Sequence, residues 1–455
     1  MSSTTDLAST TISQRFARFI ASLSIETLPA ALIEQAKIRI LDSLATAIAS
    51  QDLPVPAIAM ALVGDNRGRA TIIGHPRTVP AIDAALVNAT RVNARSQDDF
   101  LCKSHPGAVT LPAALALAEA QDASGADLIA AVVAGYEIVG RVYLGGPDMV
   151  SRFRATGVAG TIAAAAAAAR VLKLDAEQTG NALGCAAVFA SGFGAGFLSG
   201  TDEVKLNVGM ACRNGASAAL LARAGASASP LAFEGDAGFY RAMAGSLDAL
   251  HHASEGLGER YLLAQTVYKE FPVCIFVQTP MALARELVRA RPLRAHDAVR
   301  ITVTVSPSTY AFPGLTNAAP FTSSLQARVS ARFCVAAALL DKPISDYAFY
   351  EHFDAPDVLA LAARIDLAAD PGSSDNVVVS IDEGGETRSL EGIEGETLVS
   401  SAEKVIAKFH RLASPVLGSH AQSVLQGVLR LEHLPNLHDL TAPLRTAAAP
   451  TSALH

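Results

Sequence analysis

Apolar residues recur at three- and four-residue intervals from about residue 10 to residue 265, a period that predicts helix almost throughout. Between Ala31 and Ser50 the positions Ile33, Ala36, Ile38, Leu41, Leu44 and Ile48 fall on one helical face. Comparable runs predict helices over Val79–Ala94, Leu111–Ala120, Ala126–Tyr143, Val158–Leu172, Ala176–Phe189 and Val208–Ala224. The alanine run before Arg170 lets two backbones approach closely, which suits a central helix wrapped by others. After Glu270 the pattern changes. Val299–Ser306 alternates apolar and polar residues, as a half-buried strand does. Asn376–Ile381 and Glu386–Leu390 read as a hairpin around Glu383-Gly384-Gly385. Helices at Pro280–Ala290, Gln326–Leu340 and Pro356–Ile365 lie between these strands. The helical period returns after Ser400, over Ala402–Leu412 and Ala421–Leu431, and the tail from Thr441 reads as frayed.

These patterns predict a mainly α two-domain protein. Residues 1–270 with 399–455 would form a large all-helical domain, and residues 271–398 a smaller α+β domain. A length of 455 residues, more than one core usually supports, agrees. Half the residues are apolar and only 17% are charged, so much surface must be buried, in a thick core or against another subunit. Alanine and glycine dominate and tryptophan is absent, which favours close-packed helices over a β-rich fold. The net charge of -7 argues against a nucleic-acid partner. No membrane span is expected: the most apolar stretch, Ala155–Ala169, is shorter than the ~20 residues a span needs. Met1–Asp6 lacks the basic start and apolar run of a secretory signal. The five cysteines (Cys102, Cys185, Cys212, Cys274, Cys334) form no paired framework and lack metal-ligand spacing. They favour a reducing cytoplasm, and no metal site is expected.

Because charge is scarce, the segment Gln97–Gly107 stands out, with Asp98, Asp99, Lys103 and His105 crowded at a helix junction. Pro106-Gly107 directly after the histidine would hold the backbone in a loop, a common place for chemistry carried on a rigid scaffold. The plainer alternative is a pair of capping aspartates and a solvated turn. The glycine-rich Ser191–Gly196 follows a helix rather than a strand, so it reads as a turn before Lys205, not a dinucleotide site. Lys205 enters an apolar helix, and Lys269 sits where the helical region gives way to the mixed one. A lysine partly buried in a cleft loses proton affinity and serves as a base, or stays charged and holds a carboxylate. A solvated lysine is the alternative for each.

Several pieces together are similar to the MmgE/PrpD family. They are Asp98-Asp99 with His105-Pro106-Gly107, Gly135-Tyr136-Glu137-Ile138 with Arg141, and Gly157–Ala169 with its alanine run. Lys205 with Gly209 and Arg213-Asn214-Gly215, Phe233-Glu234-Gly235 with Gly238-Phe239, and Lys269-Glu270-Phe271-Pro272 complete them. The resemblance implies a helical domain with an α+β domain inserted, an active site in the cleft between, a homodimer, and no organic or metal cofactor. It implies a small di- or tricarboxylate substrate, with Lys205, His105 and Lys269 as catalytic residues. Arg154, Asp99, Ser96 and Lys103 are expected to hold the substrate. Where the family's loop carries a histidine, an aspartate and a threonine, this chain has Asn93, Ser96 and Phe100, and the family's Phe-His pair becomes Phe153-Arg154. Eliminating a hydroxyl needs a general acid at the leaving oxygen, so these losses count against dehydration. The expectation is an enzyme that removes a proton beside a carboxylate, as an epimerase of the iminodisuccinate type. A lyase like 2-methylcitrate dehydratase or cis-aconitate decarboxylase is the alternative, and a non-catalytic carboxylate binder the third.

Overall fold

The computed structural model describes residues 10–293, 299–398 and 401–445. The N-terminal hexapeptide read above lies outside them. The first half is helical: α1 (Ile12–Ser22), α2 (Ala30–Ile48), α3 (Pro54–Met60), α4 (Ala81–Ala94), α5 (Pro106–Ala120) and α6 (Gly125–Leu144). Then follow α7 (Ala155–Val171), α8 (Ala176–Phe189), α9 (Ala195–Ser199), α10 (Glu203–Arg223) and α11 (Phe239–Met243). The two-residue strands β1 (Ala70–Thr71) and β2 (Thr78–Val79) pair between α3 and α4. The mixed region holds α12 (Gln278–Ala290), β3 (Val299–Val305), α13 (Pro307–Tyr310), α14 (Ser324–Val329), α15 (Ala331–Leu339), α16 (Pro356–Ala362), β4 (Ile365–Ala369), β5 (Asn376–Glu383) and β6 (Glu386–Ile393). The chain ends in α17 (Ala402–Leu417), α18 (His420–Leu429) and α19 (His438–Thr441).

The alanine helix is central, as its composition predicts. Nearly every residue of α7 is buried, and α5, α6, α8 and α10 all pack on it. Small side chains make this packing close: a Cβ on Gly215 of α10 would lie 2.3 Å from the Thr161 carbonyl oxygen and 2.6 Å from Ala164 Cβ. Two apolar clusters result. One draws on Ile12–Leu263 together with Phe409–Leu444, so both chain ends share it. The other draws on Phe271–Ile381.

The second cluster contains a sheet in the order β4-β3-β5-β6. Ile301 pairs in parallel with Ile365 and antiparallel with Ile381, and Ser380 pairs with Ser389 across the hairpin. The alternation read in β3 buries Val299, Ile301, Val303 and Val305. Helix α12 covers the sheet with Met281, Ala284, Leu287 and Val288.

Three expectations fail for physical reasons. The helix predicted to run to Ile365 stops at Ala362, and Ile365–Ala369 forms a strand. Its sequence carries no strong strand period, and the parallel pairing with β3 supplies the backbone partners instead. The helix predicted over Gln326–Leu340 breaks at Ser330, whose hydroxyl caps Phe333 N at 3.3 Å and donates to the Asn317 carbonyl at 2.6 Å. Of the tail expected to fray, residues 446–455 lie outside the described residues, but Thr441–Leu444 is packed: Thr441 and Leu444 are buried, and the Leu444 carbonyl accepts from Gly74 N at 2.7 Å. No helix among the described residues is long and apolar enough to cross a membrane.

Candidate active site

The segment between α4 and α5 is a tightly wound turn. Ser96, Cys102 and Lys103 adopt left-handed backbone conformations (φ 55°, 48° and 58°), which cost energy for residues with a Cβ and concentrate at functional sites. Phe100 and Val267 exchange backbone hydrogen bonds of 2.9 and 3.1 Å, tying the turn to the approach to Lys269. Pro106-Gly107 does not extend the loop, contrary to expectation. Pro106 occupies the first turn of α5 and His105 is its N-cap, because a proline at that position needs no amide hydrogen. His105 is thereby fixed at a rigid helix start, its amide donating to Thr156 Oγ1 of α7 at 3.3 Å.

His105, Lys205, Lys269, Arg154, Ser96 and Lys103 all line one cavity of about 440 Å³. Lys205, in the first turn of α10, donates to Asn93 O (2.8 Å), Asn93 Oδ1 (3.3 Å) and Ser96 Oγ (2.6 Å). Arg154 precedes α7, its backbone held by the Gly192 carbonyl at 3.1 Å. Its guanidinium donates to the Val204 carbonyl and, at 3.0 Å, to Asn93 Oδ1. Asn93 thus links both cations, and its amide nitrogen donates to Asp98 Oδ2 at 2.7 Å. Asp98 faces Lys269 Nζ at 3.4 Å and His105 Nδ1 at 3.4 Å.

Charge states follow from these partners. Burial opposes ionisation of Asp98, but Lys269 and Lys205, with the hydrogen bond from Asn93, outweigh it and hold the carboxyl below the usual range. His105 is pushed down to about 3, by burial first and then by Lys269 and Arg154 against the pull of Asp98. A neutral imidazole results. Its Nδ1 lies 2.7 Å from the Asp99 carbonyl, an acceptor, as is Asp98, so Nδ1 carries the hydrogen. Nε2 is left with a lone pair, the form a general base needs. Burial, with Arg328 and Arg154 nearby, drives Lys205 well below the ordinary lysine range. Lys269 is lowered by burial, opposed by Asp98. Cys274 also lines the cavity, but burial pushes its thiol up to about 11, so it stays protonated.

Two predicted substrate contacts require comment. Asp99 does not reach the cavity. Its Oδ2 accepts from the Tyr136 hydroxyl at 2.5 Å and Oδ1 from Gly107 N at 3.0 Å, which places it behind the turn as a brace. Lys103 is at the cavity but already engaged, 3.3 Å from Glu394 and over the Phe276 ring at 4.8 Å. The sequence reading missed Arg328. The break at Ser330 ends α14 so that Arg328 donates to Arg95 O (3.0 Å), Pro272 O (3.3 Å) and Ser96 Oγ (3.4 Å). A charged residue inside an apolar run was the available signal. Asp42 and Lys408 were missed as well; they pair at 2.6 Å beneath the turn.

The Asp99 brace predicts a pH effect on stability. Burial, then Asp42, raises its carboxyl to about 7 against the Tyr136 hydrogen bond. The folded protein therefore holds this proton more tightly than the unfolded chain, whose aspartate titrates near ~3.9. The stabilisation is full below that value and is lost as pH rises through about 7. Thermal melts should fall more steeply between pH 5 and pH 8 for the native protein than for Asp99→Asn, which stays neutral. Equal slopes would assign the pH dependence elsewhere.

Comparison with known proteins supports the same reading of the chain. Residues 14–250 match the MmgE/PrpD N-terminal domain and residues 271–432 the MmgE/PrpD C-terminal domain. A human cis-aconitate decarboxylase is 28% identical over 477 residues, covering 97% of this chain and 96% of that protein. A cis-aconitate decarboxylase of Aspergillus terreus is 23% identical, covering 94% and 95%. The cis-aconitate decarboxylase-like protein oryM of Aspergillus oryzae is 31% identical over 228 residues, 47% of each chain.

Proposed function

This chain belongs to the MmgE/PrpD family, and from that premise we propose that it is a carbon–carbon lyase that decarboxylates a small polycarboxylate. The observation that carries the reading is the convergence of His105, Lys205, Lys269 and Arg154 on one cavity. When the bond to a carboxylate carbon breaks and CO2 leaves, the electron pair stays on the neighbouring carbon and spreads into an adjoining carboxylate or alkene. Cations already fixed around that position stabilise the charge without reorganising. A proton must then reach the carbon. Lys205 suits this step: an incoming carboxylate raises its proton affinity, so it meets the substrate as an ammonium and is recharged from solvent. His105, neutral with Nε2 free, suits the reverse task of taking a proton beside a carboxylate.

Arg154 grips a carboxylate in a fork but offers no acid to a leaving hydroxyl, which argues against dehydration and leaves decarboxylation and epimerisation open. The relatives named as decarboxylases favour the first over the epimerisation expected from the sequence. Apolar richness and the exposed Val188, Phe193 and Leu198 support a homodimer, and five free cysteines support a reducing cytoplasm. Incubation with cis-aconitate or citrate-like acids in deuterated water, followed by proton NMR, tests the reaction. Release of CO2 with one deuterium placed on carbon is expected. Exchange with inverted stereochemistry and no CO2 would establish epimerisation instead, and ligand binding with neither would leave a non-catalytic binder.

A further inference from the structure

The cavity is lined by aromatic rings as well as by cations. Phe197, Phe276 and Phe312 line it, together with Ile275 and Val329. The rings form a continuous surface: Phe197 and Phe312 have centroids 5.5 Å apart, and Phe276 and Phe312 4.7 Å apart. Cations lie over two of these rings, Arg154 above Phe197 at 5.4 Å and Lys103 above Phe276 at 4.8 Å, so the aromatic surface begins directly beside the charged groups. At about 440 Å³ the space falls within the ~300–1,000 Å³ that encloses drug-sized ligands, more than a small acid fills.

Charge is limited as well. Asp98 stands against Lys269, and Glu394 against Lys103. Lys205 and Arg154 are bound to neutral oxygens and, with the exposed Arg152 that also lines the cavity, are the cations left to meet carboxylates. A further carboxylate pressed against the phenylalanines would lose its hydration with no partner. A hydrocarbon arm would gain from the same rings.

The geometry points to a dicarboxylate bearing an alkyl or aryl arm as the substrate class, with the carboxylates at Lys205 and Arg154 and the arm along the phenylalanines. This rests on the lyase reading for its chemistry but not for its binding geometry. The test therefore uses acids that do not react: succinate and its 2-methyl, 2-butyl and 2-hexyl homologues, titrated by calorimetry. Kd should fall about fourfold for each buried methylene, the usual gain for a CH2 removed from water. Phe312→Ala should flatten that slope and Phe312→Leu should largely restore it, whereas Lys205→Ala should weaken every homologue by a similar factor. A native Kd that stays level or rises with chain length overturns the inference, as does failure of every homologue to bind at millimolar concentration. The native series decides the matter even if a variant does not fold. A steep slope without CO2 release in the deuterium experiment removes the lyase reading and keeps the hydrocarbon pocket. Turnover of unsubstituted acids with a flat slope does the reverse.

Discussion

Replacing Lys205 with alanine is expected to lower kcat by at least about 10³-fold while leaving the fold intact. The amine is the group placed to return a proton to carbon, held against Ser96 and Asn93 at the cavity. Steady-state kinetics on the substrate identified by NMR would measure the loss. Stability should change little, by about 1–2 kcal/mol or less, although Lys205 is buried and not the cleft-surface residue its sequence position suggests. Two effects oppose each other there. Asn93 O and Ser96 Oγ lose a donor, yet Arg154, Arg328 and Lys269 lose a like-charged neighbour. Water entering the cavity can satisfy the oxygens. Full activity in the variant would remove Lys205 from the mechanism, and a collapsed melting temperature would make it a structural residue.

The largest effect on stability is expected from Lys408→Ala. Lys408 lies on α17, far along the chain from the turn, and donates to Asp42 Oδ1 and to the Gln97 carbonyl, both at 2.6 Å. Asp42 is fully buried and its other oxygen has no hydrogen-bond partner. Removing one member of a buried ion pair leaves an uncompensated charge and typically costs about 3–5 kcal/mol. Burial already pushes the Asp42 carboxyl upward, with Lys408 pulling against it, so without the amine the group should take up a proton. Chemical denaturation should show the loss, and pairing Lys408→Ala with Asp42→Asn should recover part of it, since the double change removes the stranded charge. Losses that simply add would mean that the pair is not coupled. Activity should fall beyond the stability change, because the Gln97 carbonyl belongs to the turn that presents Ser96 and His105 to the cavity.

The difference between adjacent aspartates illustrates what could be read in advance. Asp98 and Asp99 are equivalent in composition and position, and nothing in their spacing distinguishes them. The left-handed residues at Ser96, Cys102 and Lys103 set the path of the turn, which brings Asp98 among Asn93, His105 and Lys269 and turns Asp99 toward Tyr136. Arg328 is a similar case: its place depends on a helix break stabilised by the carbonyl of Asn317, a partner that no local window contains.

By itself the sequence determined the helical first half, the alanine helix at its centre, the alternating strand at Val299–Val305 and the choice of His105, Lys205 and Lys269 as interesting groups. These are short-range matters: an apolar period and a scarcity of charge are visible within a few turns of chain. Only the tertiary structure decided that those three residues share one cavity with Arg154, that Asp99 is a brace, that Lys408 anchors the turn and that phenylalanines join the cavity lining. Each of those outcomes depends on contacts between segments tens to hundreds of residues apart. In each, burial fixes the charge or contact, and burial belongs to the packed whole and not to any stretch of sequence.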